Sequence, residues 1–248
     1  MLDTTAYLTV TFLAAIAGFV DAVGYLGLSR IYTANMSGNS VAVGIQLAFQ
    51  NWPEMLRRLW PVVVFVAGML FCRILVEIGA RRKVRCIFSV TAVCEIVLIL
   101  PVCLQNSPHP SQTLYVGLLA VAMGIQNAAL KHVQSATVHT GFVTGVLLNS
   151  VVEFTKYLTW LFDCVRSGTA SFGTALLKSR KQKPFQLALW LAFIWFGYIT
   201  GAVCGSLGED SLRFEALAFP MLGLLIVIAV DLRHPLSTQE EKSQEKGS

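Results

Sequence analysis

The chain has 248 residues, of which 55% are hydrophobic and 13% charged, and its mean hydropathy is +0.64. A water-facing domain carries about 25% charged residues, so this composition excludes a soluble globular protein and calls for a lipid bilayer as its solvent. The net charge of +5 is concentrated in two short loops and the tail, as membrane topology signals are, and no nucleic-acid-binding patch stands out.

Eight apolar blocks follow in order, at about 7–29, 33–50, 60–80, 86–104, 113–131, 139–161, 185–207 and 213–232. They read as helices, because barrel strands would appear as weaker alternating segments of about ten residues. The fold class is therefore all-α, a polytopic transmembrane helix bundle of six to eight spans. It forms one domain, 1–233, followed by a polar tail, 234–248, too charged to bury apolar surface and expected to be disordered. The N-terminus has no basic segment and no small-residue cleavage site, so the first block reads as a retained helix. The second block is the weakest span, since Asn35, Ser37, Asn39 and Ser40 crowd its start.

Trp52-Pro53 and Trp60-Pro61 bracket Arg57-Arg58, an interfacial composition. Arg73 and Glu77 lie one turn apart in block three and read as a local ion pair, as do Glu153 and Lys156 in block six. Two basic clusters, Arg81-Arg82-Lys83-Val84-Arg85 and the group Lys178, Arg180, Lys181 and Lys183, are both expected on the cytoplasmic side. Blocks four, five and six lie between them, and three crossings would put the clusters on opposite faces. Either one of these blocks fails to cross or one cluster lies outside. Six scattered cysteines without a C-x-x-C pair give no metal site and no disulfide framework.

The opening stretch Gly18-Phe19-Val20-Asp21-Ala22 has an echo in Gly124-Ile125-Gln126-Asn127-Ala128. With a shift of one further residue, Thr33 and Gly38 meet Thr140 and Gly145. Phe65-x-x-Gly68-x-x-x-Cys72 parallels Tyr198-x-x-Gly201-x-x-x-Gly205. The order of these matches suggests an internal repeat, about 7–80 and 113–207. If all eight blocks span, the halves are parallel; if each half loses one span, they are inverted. Both arrangements stay open at this point.

Polar groups inside apolar sequence need partners or a purpose. Asp21 is the sharpest candidate, either as a coupling acid or as a structural partner for Asn35, Asn39 or a helix terminus. Thr33, Asn35 and Asn39 follow a very short connection, and Thr33 is the expected cap of the second helix. Asn127, Thr140 and Thr144 are their counterparts, with His132 and His139 nearby. Together Asp21, Thr33, Asn35, Asn39, Asn127, Thr140 and Thr144 make a candidate substrate-binding set. Glu95, with no local partner, is the second candidate coupling acid. Gly197, Gly201 and Gly205 line one face of block seven and read as a helix-packing surface. No hydrolase, metalloprotease, P-loop or dinucleotide motif occurs, so no enzyme, catalytic residue, metal or cofactor is expected.

The stretches Gly18-Phe19-Val20-Asp21-Ala22-Val23-Gly24-Tyr25 and Tyr32-Thr33-Ala34-Asn35-Met36-Ser37-Gly38-Asn39 resemble the signatures of the YoaK-like membrane proteins, a domain-of-unknown-function family of bacteria and fungi. His139-Thr140-Gly141-x-x-Thr144-Gly145 is similar as well, and the resemblance covers about 8–232. It implies a small multi-pass protein of the inner or plasma membrane and carries over no activity or site residue.

Two functions fit these residues. The first is a small-molecule transporter or permease-like protein, with an unknown small polar substrate held near the midplane. The second is a non-transporting scaffold or accessory subunit that uses the glycine face at 197–205 and the basic loop at 166–183 to hold a partner. The bilayer is a partner under either, and a homo-oligomer is compatible with both.

Overall fold

The structure, a computed structural model, describes residues 4–82, 84, 86–105, 111–133, 142–167 and 182–233. Among them the chain forms eight α-helices and no strand: α1 (Thr4–Gly27), α2 (Met36–Ala48), α3 (Trp52–Arg81), α4 (Ile87–Cys103), α5 (Gln112–Val133), α6 (Phe142–Arg166), α7 (Lys183–Leu212) and α8 (Ala218–Arg233). A short 3-10 turn, Arg213–Leu217, joins the last two. Each helix falls on one of the apolar blocks, as an all-α bundle requires. The tail at 234–248 and most of the loop at 166–183 lie outside the described residues.

Tyr7–Gly27, Trp52–Arg81 and Lys183–Arg233 have the length and hydropathy to cross a bilayer, and Ile87–Cys103 is a shorter apolar helix. The outward surface is oily: Val63, Val66, Leu70, Phe71 and Ile74 of α3 are all exposed. In lipid this exposure costs nothing, because the surrounding solvent is as apolar as the side chains.

The contacts fix the helix directions. Thr11, Ala15 and Phe19 of α1 meet Gly197, Gly201 and Gly205 of α7 in the same order, so α1 and α7 run parallel. Likewise α3 and α5 run parallel, with Trp60 Nε1 donating to the Thr113 carbonyl at 3.0 Å and Gly68 against Val121. Arg58 of α3 donates to the Arg30 carbonyl just beyond α1, and Ser29 Oγ donates to Gln112 Oε1 at the start of α5. The end of α1 thus meets the starts of α3 and α5, and both run opposite to α1. Finally, Ser89 at the start of α4 bonds Asp231 at the end of α8, while Cys103 at the end of α4 reaches the Glu215 carbonyl before α8. These two helices are antiparallel.

Since α1 and α3 run in opposite directions, α2 between them does not cross. Its 13 residues extend about 20 Å, short of the roughly 30 Å core. The same holds between the antiparallel α5 and α7. Ser150 Oγ donates to the Ala188 carbonyl, and the Tyr157 ring packs on Phe185, so α6 runs back along the first part of α7. The turns remaining to Phe142 add about 12 Å, which leaves α6 short of the far side. Six crossings remain: α1, α3, α4, α5, α7 and α8. Arg81 and Arg82 at the end of α3 then share a face with Arg166, Lys183 and Arg233. The conflict between the two basic clusters disappears because α6 is the block that does not cross, and the shared face is cytoplasmic by the positive-inside rule.

Two close crossings hold the bundle. A Cβ on Gly18 would lie 2.1 Å from the Tyr198 carbonyl oxygen and 3.1 Å from Ala202 N; on Gly124 it would lie 2.2 Å from the Phe65 carbonyl oxygen and 3.1 Å from Met69 N. On Gly201 it would lie 1.9 Å from the Ala15 carbonyl oxygen, and on Gly68 2.4 Å from that of Val121. Side chains at these positions would force backbone from backbone. Gly197, Gly201 and Gly205 are therefore a packing surface within the chain, filled by α1.

Two outcomes are expected. Gly201→Ala should cost about 1–3 kcal/mol by overpacking a contact whose other side is backbone, while Gly44→Ala, which meets nothing within 4 Å, should gain a few tenths up to about 1 kcal/mol from helix propensity; thermal melting in detergent reads both. Reporters fused at the two termini should both face the cytoplasm, and one inserted at Gln50 should face the opposite side. Termini found on opposite sides would exclude the six-crossing path.

Candidate functional site

After Gly27 the chain turns sharply through Ser29 and Arg30, both at positive φ, 59° and 57°. Left-handed backbone is strained for residues with a Cβ. It is held here by the Arg30 N–H on the Tyr25 carbonyl at 2.9 Å and by the Arg58 guanidinium on the Arg30 carbonyl at 2.6 Å. The chain then doubles back along α1, and this returning backbone must find hydrogen-bond partners below the membrane surface.

Asp21 supplies them. Its Oδ1 accepts from the backbone N–H of Thr33 at 2.6 Å and of Ala34 at 2.8 Å, and from Thr33 Oγ1 at 3.3 Å. Its Oδ2 accepts from the Tyr198 hydroxyl of α7 at 2.8 Å. Asp21 is 3% exposed and Thr33 fully buried. Every contact on the carboxyl group comes from a donor, and together they join α1, the turn into α2, and α7.

Asn39 makes the second clasp. Its amide donates to the Tyr32 carbonyl at 2.7 Å, and its Oδ1 accepts from the Tyr32 N–H at 3.3 Å, so one side chain satisfies both backbone groups of one residue. The Tyr25 and Tyr32 rings stack with centroids 4.5 Å apart. Gly24 lets the turn press onto α1, since a Cβ there would lie 2.6 Å from Thr33 Cγ2. Asn35, not Thr33, caps α2: its Oδ1 accepts from the Gly38 N–H at 3.3 Å and from Ser37 Oγ at 2.8 Å. Thr33 cannot take that role because α2 begins three residues beyond it and its own polar groups go to Asp21.

Asp21, Thr33 and Asn39 are thus brought together, with Asn35 exposed beside them. Asn127 is elsewhere. It donates to the Met123 carbonyl of its own helix, and its neighbour Gln126 donates to the Leu13 carbonyl of α1 at 2.7 Å. Leu13 lies two turns before Asp21, about 12 Å along the axis, so Asp21 and Asn127 sit at different depths and do not line one pocket. Thr144 is exposed on α6. Thr140 and His139, and the side chain of His132, lie outside the described residues.

Glu95 is 1% exposed in the middle of α4, and its Oε2 has no hydrogen-bond partner among the described residues. Gln126 Oε1 is in the same condition. Glu153 and Lys156 pair as their spacing predicts. Glu77 pairs with Arg81 at 3.1 Å in place of Arg73, which leaves the Arg73 side chain at the exposed surface. The six cysteines form no disulfide, and no cluster of metal-ligating side chains occurs among the described residues.

Two residues escaped the sequence reading. In the sequence parallel between Phe65-x-x-Gly68 and Tyr198-x-x-Gly201 the one polar difference is Tyr198, and that is the signal that marks it. Asp231 stands at the end of the last apolar block, beside the polar tail, yet it is fully buried in α8, accepting from Ser89 N at 2.9 Å and Ser89 Oγ at 2.6 Å. It caps the start of α4, whose N-cap residue Cys86 makes no side-chain cap hydrogen bond and whose first turn has no acidic residue.

These geometries separate two substitutions of the central acid. Asp21→Ala leaves two buried N–H groups without acceptors, at about 1–3 kcal/mol each, and should unfold or strongly destabilise the protein. Asp21→Asn keeps an oxygen for the backbone and offers its NH2 to the Tyr198 oxygen, so it should melt within about 1.5 kcal/mol of wild type. Comparable losses for both variants would refute the backbone-holding role.

No solved structure matches the chain significantly. It is 29% identical to the UPF0700 transmembrane protein YoaK of Bacillus subtilis (strain 168), in a match covering 78% of this chain and 92% of the relative. The family model described as "Protein of unknown function (DUF1275)" matches residues 9–230, the whole bundle from α1 to α8. The chain is an integral membrane protein and belongs to the DUF1275 family.

Proposed function

We propose that this protein is a permease-like transporter of a small polar solute, in the plasma membrane, built from two inverted copies of one unit. Support for the duplication lies in the contacts themselves. The shift that carries Gly18 onto Gly124 carries Ala15 onto Val121, and the shift that carries Phe65 onto Tyr198 carries Gly68 onto Gly201 and Met69 onto Ala202. The pairs Gly18·Tyr198 and Gly124·Phe65 are therefore one contact made twice, and so are Ala15·Gly201 and Val121·Gly68. Each joins a helix of one half to a helix of the other. The antiparallel relation of α1 to α5 and of α4 to α8 makes the copies inverted, with α2 and α6 as the partial helices entering from opposite faces.

The observation that carries the functional reading is the short helix α2, whose start is held inside the membrane by a buried acid and by a tyrosine from the other half. Inverted halves with interrupted helices are the architecture in which polar backbone ends receive a solute. In this reading Asp21, Thr33, Asn35 and Asn39 form the polar junction on one side, Asn127, Thr140 and Thr144 form its counterpart, and Glu95 is the coupling acid. The scaffold alternative loses its glycine face, since α1 fills the surface of Gly197, Gly201 and Gly205; its other surface, the basic loop at 166–183, lies mostly outside the described residues.

The test is uptake into proteoliposomes from a defined mixture of labelled amino acids, sugars, organic acids and nucleobases, with and without an imposed pH gradient. At least one solute should accumulate over protein-free vesicles. Asp21→Asn should cut its uptake by about tenfold or more, the effect of one charged contact worth 1.4 kcal/mol or more. Glu95→Gln should retain equilibration yet lose gradient-driven accumulation. Uptake no greater than in protein-free vesicles, or uptake indifferent to both substitutions in folded protein, would overturn the reading.

A further inference from the structure

A cavity of about 340 Å³ opens at the non-cytoplasmic end of the bundle, between the starts of α3 and α5 and the turn that leaves α1. Its apolar walls include Ile31 and Val116, each 2% exposed, and Trp60. The Trp60 N–H is spent on the Thr113 carbonyl, so the indole presents apolar surface. The polar groups are Arg57, Gln112 and Thr113.

Beside the cavity one carboxylate serves two cations: Glu54 is shared by two guanidiniums, Arg58 at 2.9 Å and Arg57 at 3.4 Å, so one guanidinium is in surplus over the carboxylate they contact. Arg58 has the shorter contact and is also tied to the Arg30 carbonyl, so the surplus falls on Arg57. Of the five N–H groups of its guanidinium, Arg57 uses one on Glu54 and one on Gln112 Oε1 at 2.9 Å. Gln112 Oε1 also accepts from Ser29, and the Gln112 NH2 donates to nothing among the described residues. A cation with spare donors and an idle amide therefore share a pocket whose other walls repel water. Its volume is at the lower end of the roughly 300–1,000 Å³ of small-molecule sites.

We infer that this cavity is a binding site for a phosphate-bearing molecule with an apolar carbon skeleton, its phosphate oxygens on Arg57 and Gln112 and its carbon portion against Trp60, Val116 and Ile31. The forked N–H donors of a guanidinium match two oxygens of a phosphate in charge and spacing. The indoles of Trp52 and Trp60 mark this end as the membrane–water interface, so the same chemistry can come from an anionic phospholipid headgroup in the outer leaflet or from a soluble phosphate ester. The site is separate from the Asp21 junction and stands whether or not a solute is transported.

Purified full-length protein in nanodiscs of phosphatidylcholine, with and without phosphatidylglycerol, and titrated with glycerol 3-phosphate or inorganic phosphate, tests this by native mass spectrometry and thermal shift. Binding of phosphatidylglycerol alone identifies the lipid; competition by glycerol 3-phosphate identifies a soluble ester. Either binding should weaken by about tenfold or more in Arg57→Gln. Val116→Phe, which fills the cavity and leaves every charge in place, should abolish it. Binding that survives Val116→Phe in folded protein would reduce the site to surface charge and overturn the proposal. So would the absence of any preference for the phosphate-bearing anions over phosphatidylcholine.

Discussion

A chain that turns back inside a bilayer exposes backbone N–H groups where no water can reach them, and the fold depends on how those groups are met. Here one carboxylate meets them. Asp21 accepts from the N–H groups of Thr33 and Ala34 and from the Tyr198 hydroxyl, and without it the descent from Arg30 to Met36 would carry unsatisfied donors at a cost of kilocalories each. Asn39 performs the companion task for Tyr32. The return of the chain at this depth makes α2 short, and the shortness of α2 lets α3 run opposite to α1. The directions of the later helices follow from the contacts those two make.

The glycines are the other half of the same arrangement. Asp21 reaches Tyr198 because α1 and α7 lie against each other backbone to backbone, at Gly18 on one side and Gly201 and Gly205 on the other. In lipid there is no hydrophobic force to press helices together, so association rests on close van der Waals approach and on interhelical polar contacts. The α1–α7 crossing uses both. The α3–α5 crossing has the glycines, Gly68 and Gly124, yet places Phe65 where the other has Tyr198. One crossing thus carries a buried hydrogen bond at its glycine contact, while the other has its hydrogen bonds at the helix ends, from Trp60 to the Thr113 carbonyl and from Arg57 to Gln112.

The eight helices were legible because their apolar blocks are long and well separated, and Asp21 was legible because an acid there demands a partner. Its partners were not, because two of the donors are backbone groups with no sequence signature and the third lies 177 residues away. The same blindness explains Asp231: a carboxylate at the border of a polar tail looks solvated until the start of α4 is found against it. The number of crossings was hidden for a different reason. A helix of 13 residues and one of 25 both fail to cross, so length does not decide it; the directions of their neighbours do. The charge conflict between the two basic clusters was the one sequence signal that recorded this.

Glu95 separates the requirements of folding from the rest of the polar inventory. Asp21, Asp231 and Asn39 each complete a backbone that would otherwise lack partners. Glu95 completes nothing: its Oε2 is buried and unbonded among the described residues, in a regular stretch of α4 whose own amides are already paired. An apolar residue of similar size would pack there at lower cost. In the transporter proposed above, Glu95 is the carboxyl group whose place in the middle of a crossing helix suits it to exchange a proton or to meet a cation in another arrangement of the bundle.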